Sequence, residues 1–318
     1  MSVLLNRRAL IGATAALPFA RIAAADARPI SYVVPFTPGA TNDNSARIVA
    51  SRLAEALVTS VIVDNKAGGG GSIGADFVAK AAADGRTLLN ASTGNLTIVP
   101  QLIQTGYDPF RDFTPLALIG ESRSVFAVYP ALPVSTLGEL IDYARKHPGE
   151  LNFGSAGNGS GGHLAGEYLK LRTGIDIQHV PYRGSAPAAQ DLIAGRIHLM
   201  IDPIAATYVR SGRLRGLAVA GNDLRDDLPG VPSIAEAGLP DWEVQGGFVA
   251  VAPAATPGPM LARLYTAFAR VLTDEATVRQ LNSIGLAPRL LSSEQILARL
   301  RHESETNGRI IGQAKISV

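Results

Sequence analysis

Cysteine is absent from the 318-residue chain. That one absence excludes disulfides, thiolate nucleophiles, cysteine-ligated zinc and iron–sulfur clusters. Neither charge sign dominates: 29 Lys and Arg stand against 27 Asp and Glu, a formal net charge of +2. A nucleic-acid partner would require a basic patch, and this balance does not supply one. After residue 27 no run reaches the ~18 apolar residues of a membrane-spanning helix. No Gly-Lys dipeptide occurs, which excludes a Walker phosphate loop, and there is no H-E-x-x-H zinc motif. The histidines at 147, 163, 179, 198 and 302 are not spaced as a ligand set. Neither Ser155 nor Ser160 has glycine at both −2 and +2, so neither sits in a nucleophile elbow.

What remains is an apolar chain, 47% hydrophobic with 33 Gly and 20 Pro. Its length is about twice the ~150 residues of a typical domain, which points to two lobes or one large α/β domain. Residues 1–27 read as a targeting peptide. Arg7 and Arg8 form a positive head, Ala9 to Ala20 a short apolar stretch, and Ala23 to Ala27 offer small-residue cleavage sites. The stretch is well short of the ~20 residues that span a bilayer. The Arg pair fits either a Sec or a twin-arginine export signal. Cleavage after Ala27 removes three arginines and one aspartate, leaving 26 charges of each sign.

Short β-branched runs alternate with helical ones along the rest of the chain. Ile30–Val34, Val61–Val63, Thr87–Leu89, Leu116–Ile119 and Val125–Val128 are followed by Leu151–Phe153, Ile177–Val180, Ile197–Ile201, Leu217–Val219 and Phe248–Val251. Runs apolar on both faces and separated by helices indicate mainly parallel sheets covered on both sides, an α/β fold. Thr136 and Glu139 form a capping box, and Asn42 or Asp43 is placed to cap the helix after the first strand. Residues 259–312 read as almost wholly helical.

Three glycine-rich turns each follow a strand and precede a helix. Pro35 to Asp43 and Phe153 to His163 carry no Lys or Arg, and present free backbone N–H groups at the positive end of a helix. A carboxylate is the natural occupant; an ordinary capped loop is the alternative. Gly157, Gly159 and Gly162 also match G-x-G-x-x-G, but Asp176 precedes the next strand instead of ending it, which argues against a dinucleotide site. Gly69, Gly71 and Gly74, in the third turn, match the same pattern. Asp191 and Asp202 are the remaining candidate acids, with helix-capping and loop carboxylates as the plainer reading.

Read in order, these stretches resemble the Bug (TctC-like) family of extracytoplasmic solute-binding proteins. The matching segments are Val33-Val34-Pro35-Phe36-Thr37-Pro38-Gly39, the Gly68–Gly74 turn, Arg111-Asp112-Phe113-Thr114-Pro115, Gly154-Ser155-Ala156-Gly157-Asn158-Gly159-Ser160, Val180-Pro181-Tyr182-Arg183-Gly184 and Pro229-Gly230-Val231-Pro232-Ser233. The resemblance implies a two-lobed periplasmic binding protein, lobe one about 28–124 plus 249–318 and lobe two about 125–248, closing on a small organic acid. It also implies delivery to the membrane subunits of a tripartite tricarboxylate transporter, with no cofactor or metal and a monomeric chain. The ligand residues it suggests are Phe36, Gly39, Ala40, Thr41 and Asp43 from the first turn, and Ser155, Ala156, Gly157, Asn158, Gly159 and His163 from the second. Thr93, Asn95, Arg183 and Asp202 come from other loops. Ala40 replaces the glycine usual in the family and would resist a positive φ there. The competing readings are an enzyme, a hydrolase or lyase using Asp202 or His163, and a ligand-sensing partner of a signalling receptor.

Exported protein should begin after Ala25 or Ala27, which N-terminal sequencing of periplasmic material checks; a start at Met1 would refute the leader.

Overall fold

The computed structural model describes residues 28–221 and 228–318, so the proposed leader and its cleavage sites lie outside the described residues. The first strand, β1 (Ile30–Val34), leads into α1 (Thr41–Leu57), β2 (Val61–Asn65), a 3-10 turn at Gly69–Gly71 and α2 (Ser72–Ala79). Then come β3 (Thr87–Ser92), the short α3 (Thr93–Thr97) and α4 (Val99–Leu102), and β4 (Phe113–Ser122). Arg123 alone separates β4 from β5 (Ser124–Val128), so the chain enters a second sheet along nearly unbroken strand. That sheet is built through α5 (Leu137–Lys146), β6 (Asn152–Ser155), α6 (Gly161–Thr173), β7 (Gln178–Pro181), α7 (Ser185–Ile193), β8 (Leu199–Asp202), α8 (Ala205–Arg210) and β9 (Arg215–Ala220). β10 (Gly247–Pro253) returns to the first sheet, followed by α9 (Gly258–Thr273), α10 (Glu275–Ser283), β11 (Leu286–Arg289) and α11 (Ser293–Ala314).

The strand orders are β11-β4-β10-β3-β1-β2 and β7-β6-β8-β5-β9. In the first sheet β1, β2 and β3 are parallel, while β10 lies antiparallel between β3 and β4, and β11 is antiparallel to β4. In the second, β6, β7 and β8 are parallel and β5 lies antiparallel between β8 and β9. Four of six strands and four of five thus share a direction. The α/β class with helix-flanked sheets is as read from the sequence, but the sheets are mixed and not mainly parallel, with four parallel strand pairings and five antiparallel ones. The physical reason for the exceptions β5 and β10 lies in the crossings. A strand arriving directly from the other sheet enters at the edge where the parallel strands end, so it must run against them.

The helical reading of 259–312 needs correction at one place. β11 interrupts it, pairing at the edge with β4 after Gly285, whose φ is +80°. Four residues with only two apolar positions carry no period, and only the partner strand makes them extended. Of the predicted capping box the Thr136 half is present, its hydroxyl accepting from Glu139 N at 3.1 Å, whereas Glu139 accepts from Ser135 N at 2.6 Å and not from Thr136 N.

Each sheet has apolar side chains packed on both faces. Tyr32 and Phe268 meet edge-on in the first sheet's core, at 6.3 Å between centroids. In the second, Phe126 packs edge-on against Trp242 at 5.2 Å. α11 reaches both: Ile296 and Leu300 belong to a core on the first sheet, Ile310 to one on the second. The two crossings lie side by side, with Ser122 N donating to Gly246 O at 2.8 Å, and the turn before β11 joins them, with Arg123 N donating to Gly285 O at 2.9 Å.

Phe126 lies on the first crossing strand and is fully buried. Phe126→Ala should lower unfolding free energy by about 3–5 kcal/mol in urea titrations, and a loss below about 1 kcal/mol would contradict this packing.

Candidate functional site

The strand ends of the two sheets face a common cavity, and what lines it follows from how each strand hands over to its helix. At the first turn Asp43, the third residue of α1, reaches back to accept from Gly39 N at 2.9 Å. Its carboxylate also receives Arg47 Nε at 2.9 Å and Asn65 Nδ2 at 2.9 Å, and Asn65 Nδ2 donates to Phe36 O at 3.0 Å. Burial pushes the Asp43 carboxyl up, but these bonds and the Arg47 charge outweigh it and hold the group below its usual value. Neither Asn42 nor Asp43 is the cap residue. That position is Ala40, with φ −66° and no side-chain cap. The strain expected of Ala40 is therefore not there: the positive φ falls on Gly39, at +82°.

The second turn is fastened from behind. Ser155 Oγ lies 2.7 Å from His179 Nε2 and accepts from Gly157 N at 3.1 Å. His163 Nδ1 accepts from Gly159 N at 3.1 Å, and its ring stacks on His179 at 4.0 Å. Burial lowers His163 to about 4; burial, then the neighbouring His163 and Lys170 charges, lowers His179 to about 3. Both rings are thus neutral near pH 7, and neutral Nδ1 is the acceptor the turn needs.

The cavity these turns enclose has a volume of about 70 Å³. Its rim is a ring of helix starts. Ala40, Thr41 and Asn42 open α1, Ser160, Gly161 and Gly162 open α6, and Ser185 opens α7, while Ser92, Thr93 and Gly94 come from the start of α3. Ser122, Ser124, Gly246 and Gly247 line it from the crossings, and Phe36, Ala156, Ile201, Trp242 and Phe248 form apolar walls. Among its lining residues Asp202 alone is ionisable. Asn42 is buried, and its side-chain Nδ2 has no hydrogen-bond partner. Asp202 Oδ1 accepts from Ile204 N at 2.9 Å and from Thr41 Oγ1, at the start of α1 on the first sheet's side, at 3.3 Å; burial raises its carboxyl to about 6.

Phe36 and Ala156 also border a second, outer chamber of about 640 Å³, lined by Gly68 to Gly71, Gly157, Asn158, Gly159, Tyr182, Arg183 and Val318. The two sides of the cleft touch here. Asn158 O rests against Gly70, where any Cβ would overlap it.

The predicted residues therefore divide into three groups. Phe36, Ala40, Thr41, Thr93, Ala156 and Asp202 line the inner cavity. Gly157, Asn158, Gly159 and Arg183 line the outer chamber instead. Gly39, Asp43, Asn95, Ser155 and His163 line neither, because their polar atoms are used to hold loops. Asn95 shows why: Nδ2 donates to Gly70 O at 2.6 Å and Oδ1 accepts from Ser92 N at 2.9 Å. Sequence reasoning missed Asn42 as a donor, and also Ser124, Ser185, Trp242 and Gln245. The strand–turn–helix pattern signalled the helix-start residues. Trp242 and Gln245 carried no signal, since only the returning segment before β10 brings them there.

The neutral histidine pair has a testable consequence. Their folded values lie below the ordinary imidazole value of 6.5, so their contribution is complete above pH 6.5 and is lost as pH falls towards 4 and 3. Wild type should lose more stability between pH 7 and pH 5 than His179→Gln, by urea titration at both; equal losses would contradict the burial of a neutral pair.

Comparison with known proteins agrees with this architecture. The family model described as "Tripartite tricarboxylate transporter family receptor" matches residues 45–316. Protein BugT of Bordetella pertussis is 36% identical over 276 residues, covering 85% of this chain and 84% of BugT. An R. palustris structure with adipate is 37% identical at a TM-score of 0.88, covering 92% of this chain and 99% of that one. MatC from Rhodopseudomonas palustris, with bound malate, is 29% identical at a TM-score of 0.85, covering 90% and 99%. With the match spanning most of the chain and both sheets, this protein belongs to the tripartite tricarboxylate transporter receptor family, TctC or Bug, of two-lobed solute-binding proteins.

Proposed function

We propose that this protein captures a small organic acid in the inner cavity, gripping one carboxylate with backbone N–H groups at the helix starts and with Asn42. In this reading lobe one is about 28–124 plus 249–318, and lobe two about 125–248. The exported protein acts alone in the periplasm and passes its ligand to the membrane subunits of a tripartite tricarboxylate transporter. The observation that carries it is the lining. Starts of α1, α6 and α7 converge from both sheets, Asn42 offers an unpartnered buried donor, and among the described residues no Lys, Arg or His lines the cavity. Such a site holds an anion through N–H dipoles, each hydrogen bond to a charged group contributing roughly 1.5–3 kcal/mol. The adipate and malate of the two R. palustris structures are acids of this class.

A binding role is favoured over an enzymatic one by the same side chains. Ser155 and His163 are turned into the protein to hold the second turn, which leaves Asp202 without a neighbouring nucleophile or base on the cavity wall.

The test combines a thermal-shift panel of carboxylates with calorimetry on two variants. Gly157 has φ +122°, and a Cβ there would lie 2.9 Å from Tyr182 O. Gly157→Val should therefore displace the turn and abolish binding. Arg183→Ala, in the outer chamber, should alter selectivity and leave monocarboxylate binding largely intact. The opposite result, with Arg183→Ala silent to all acids and Gly157→Val tolerated, would make the grip an ion pair; consumption of any acid, followed by NMR, would make the protein an enzyme.

A further inference from the structure

One feature of the cavity runs against its task. A wall of donors suits an anion, yet it includes the half-buried Asp202 carboxyl, with no cation among the described lining residues. Asp202 closes β8, and its Oδ1 takes both hydrogen bonds, one from Ile204 N and one across the cleft from Thr41 Oγ1. Among the described residues, charged groups on the elements around it are engaged elsewhere. On α1, Asp43 pairs with Arg47; on α6, Lys170 pairs with Glu167 and His163 accepts from Gly159 N. On α7, Asp191 pairs with Arg196; α8 contributes Arg210, which donates to Ser283 O; β9 contributes Arg215, which donates to Leu132 O and Val134 O. β5, which pairs with β8, places only Ser124 on the cavity, and Arg123 does not line it. A ligand carboxylate bound at these helix starts would thus share a cavity of about 70 Å³ with a second carboxylate, and two like charges so close do not both stay ionised.

We propose that Asp202 makes ligand capture proton-coupled: a carboxylate that brings no hydrogen-bond donor of its own enters together with one proton, which resides on Asp202 Oδ2. Oδ1 keeps its two hydrogen bonds, and the new O–H on Oδ2 becomes a donor toward the ligand. The balance is one ligand anion plus one proton from solvent, with no bond of the ligand broken. Burial has already moved the Asp202 carboxyl up to about 6, so the free protein is mostly ionised above neutrality and stands ready to take up the proton. Asp202 is then a specificity-determining residue. It favours acids that arrive with a proton, or with a hydroxyl or ammonium that can donate to it, over acids with neither.

This inference rests on the reading as a carboxylate receptor, and the experiment separates the two. Wild-type protein is titrated calorimetrically with unsubstituted acids from acetate to adipate, at pH 6.5 to 8, in two buffers of different protonation enthalpy. These acids are fully ionised over that range, and His163 and His179 are neutral, at about 4 and about 3, so neither masks the effect. For the tightest binder, Kd should weaken about tenfold per pH unit with uptake of about one proton, and Asp202→Asn should bind with a Kd independent of pH. Binding with no proton uptake, or an Asp202→Asn variant that keeps the tenfold slope, would overturn the proton coupling while leaving the receptor reading intact. Failure of every acid to bind would overturn both.

Discussion

The double crossing between the sheets is the constraint on which the site depends. β4 runs into β5 with one residue between them, β10 brings the chain back beside them, and Ser122 N to Gly246 O ties the two passages together. Because β5 and β10 enter their sheets from the other sheet, each runs against the parallel strands around it. The parallel strands of both sheets are thereby left with their C-terminal ends facing the same space. Helices that follow those strands begin there, and their unsatisfied N–H groups point inward from two sides. No single loop makes this site. It is the meeting of two sheets whose relative direction the crossings dictate.

Around that space the polar side chains sort by task. Charged and titratable groups near the turns are spent on holding them: Asp43 with Arg47 and Asn65 under the first, Ser155 with His179 and His163 under the second. The surface left for the ligand is made of main chain, hydroxyls, the amides of Asn42 and Gln245, the Asp202 carboxyl and apolar walls. A loop held from behind by buried hydrogen bonds keeps its N–H groups aimed, so little reorganisation is needed when an anion arrives. Arg183 sits outside this arrangement, lining the wider chamber past Phe36 and Ala156.

Much of the fold was legible in the chain. Apolar runs such as Ile30–Val34 and Val125–Val128 are strands because both their faces are covered, and that requirement shows directly as an unbroken hydrophobic run. The Thr136 and Glu139 cap was legible for the same reason: it is a contact between residues three apart. β11 was not, since its extended form comes from β4, more than 160 residues earlier. The site was legible only to the level of the turn. Pro35 to Asp43 and Phe153 to His163 were identifiable as N–H-rich strand–helix junctions, but which side chains face inward was not. Asp43, Asn95 and His163 have the residue types of ligand contacts and are loop fasteners, whereas Asn42, which reads as a cap, is a donor on the cavity wall.

The sequence by itself determined the α/β class, the order of its strands and helices as far as β10, the glycine-rich turns between strands and helices, and the family resemblance. All of these are local, carried by hydrophobic period, by glycine and serine at helix starts, and by the lack of cationic residues between Pro35 and Asn44. Tertiary structure alone decided that Asp202 would lie against Thr41, 161 positions away, that Trp242 would wall the cavity, and that Arg183 would be left outside it. Those outcomes depend on how two separately formed sheets meet, and on which polar groups find partners inside the protein once they do. Neither is a property of any stretch of chain shorter than the whole.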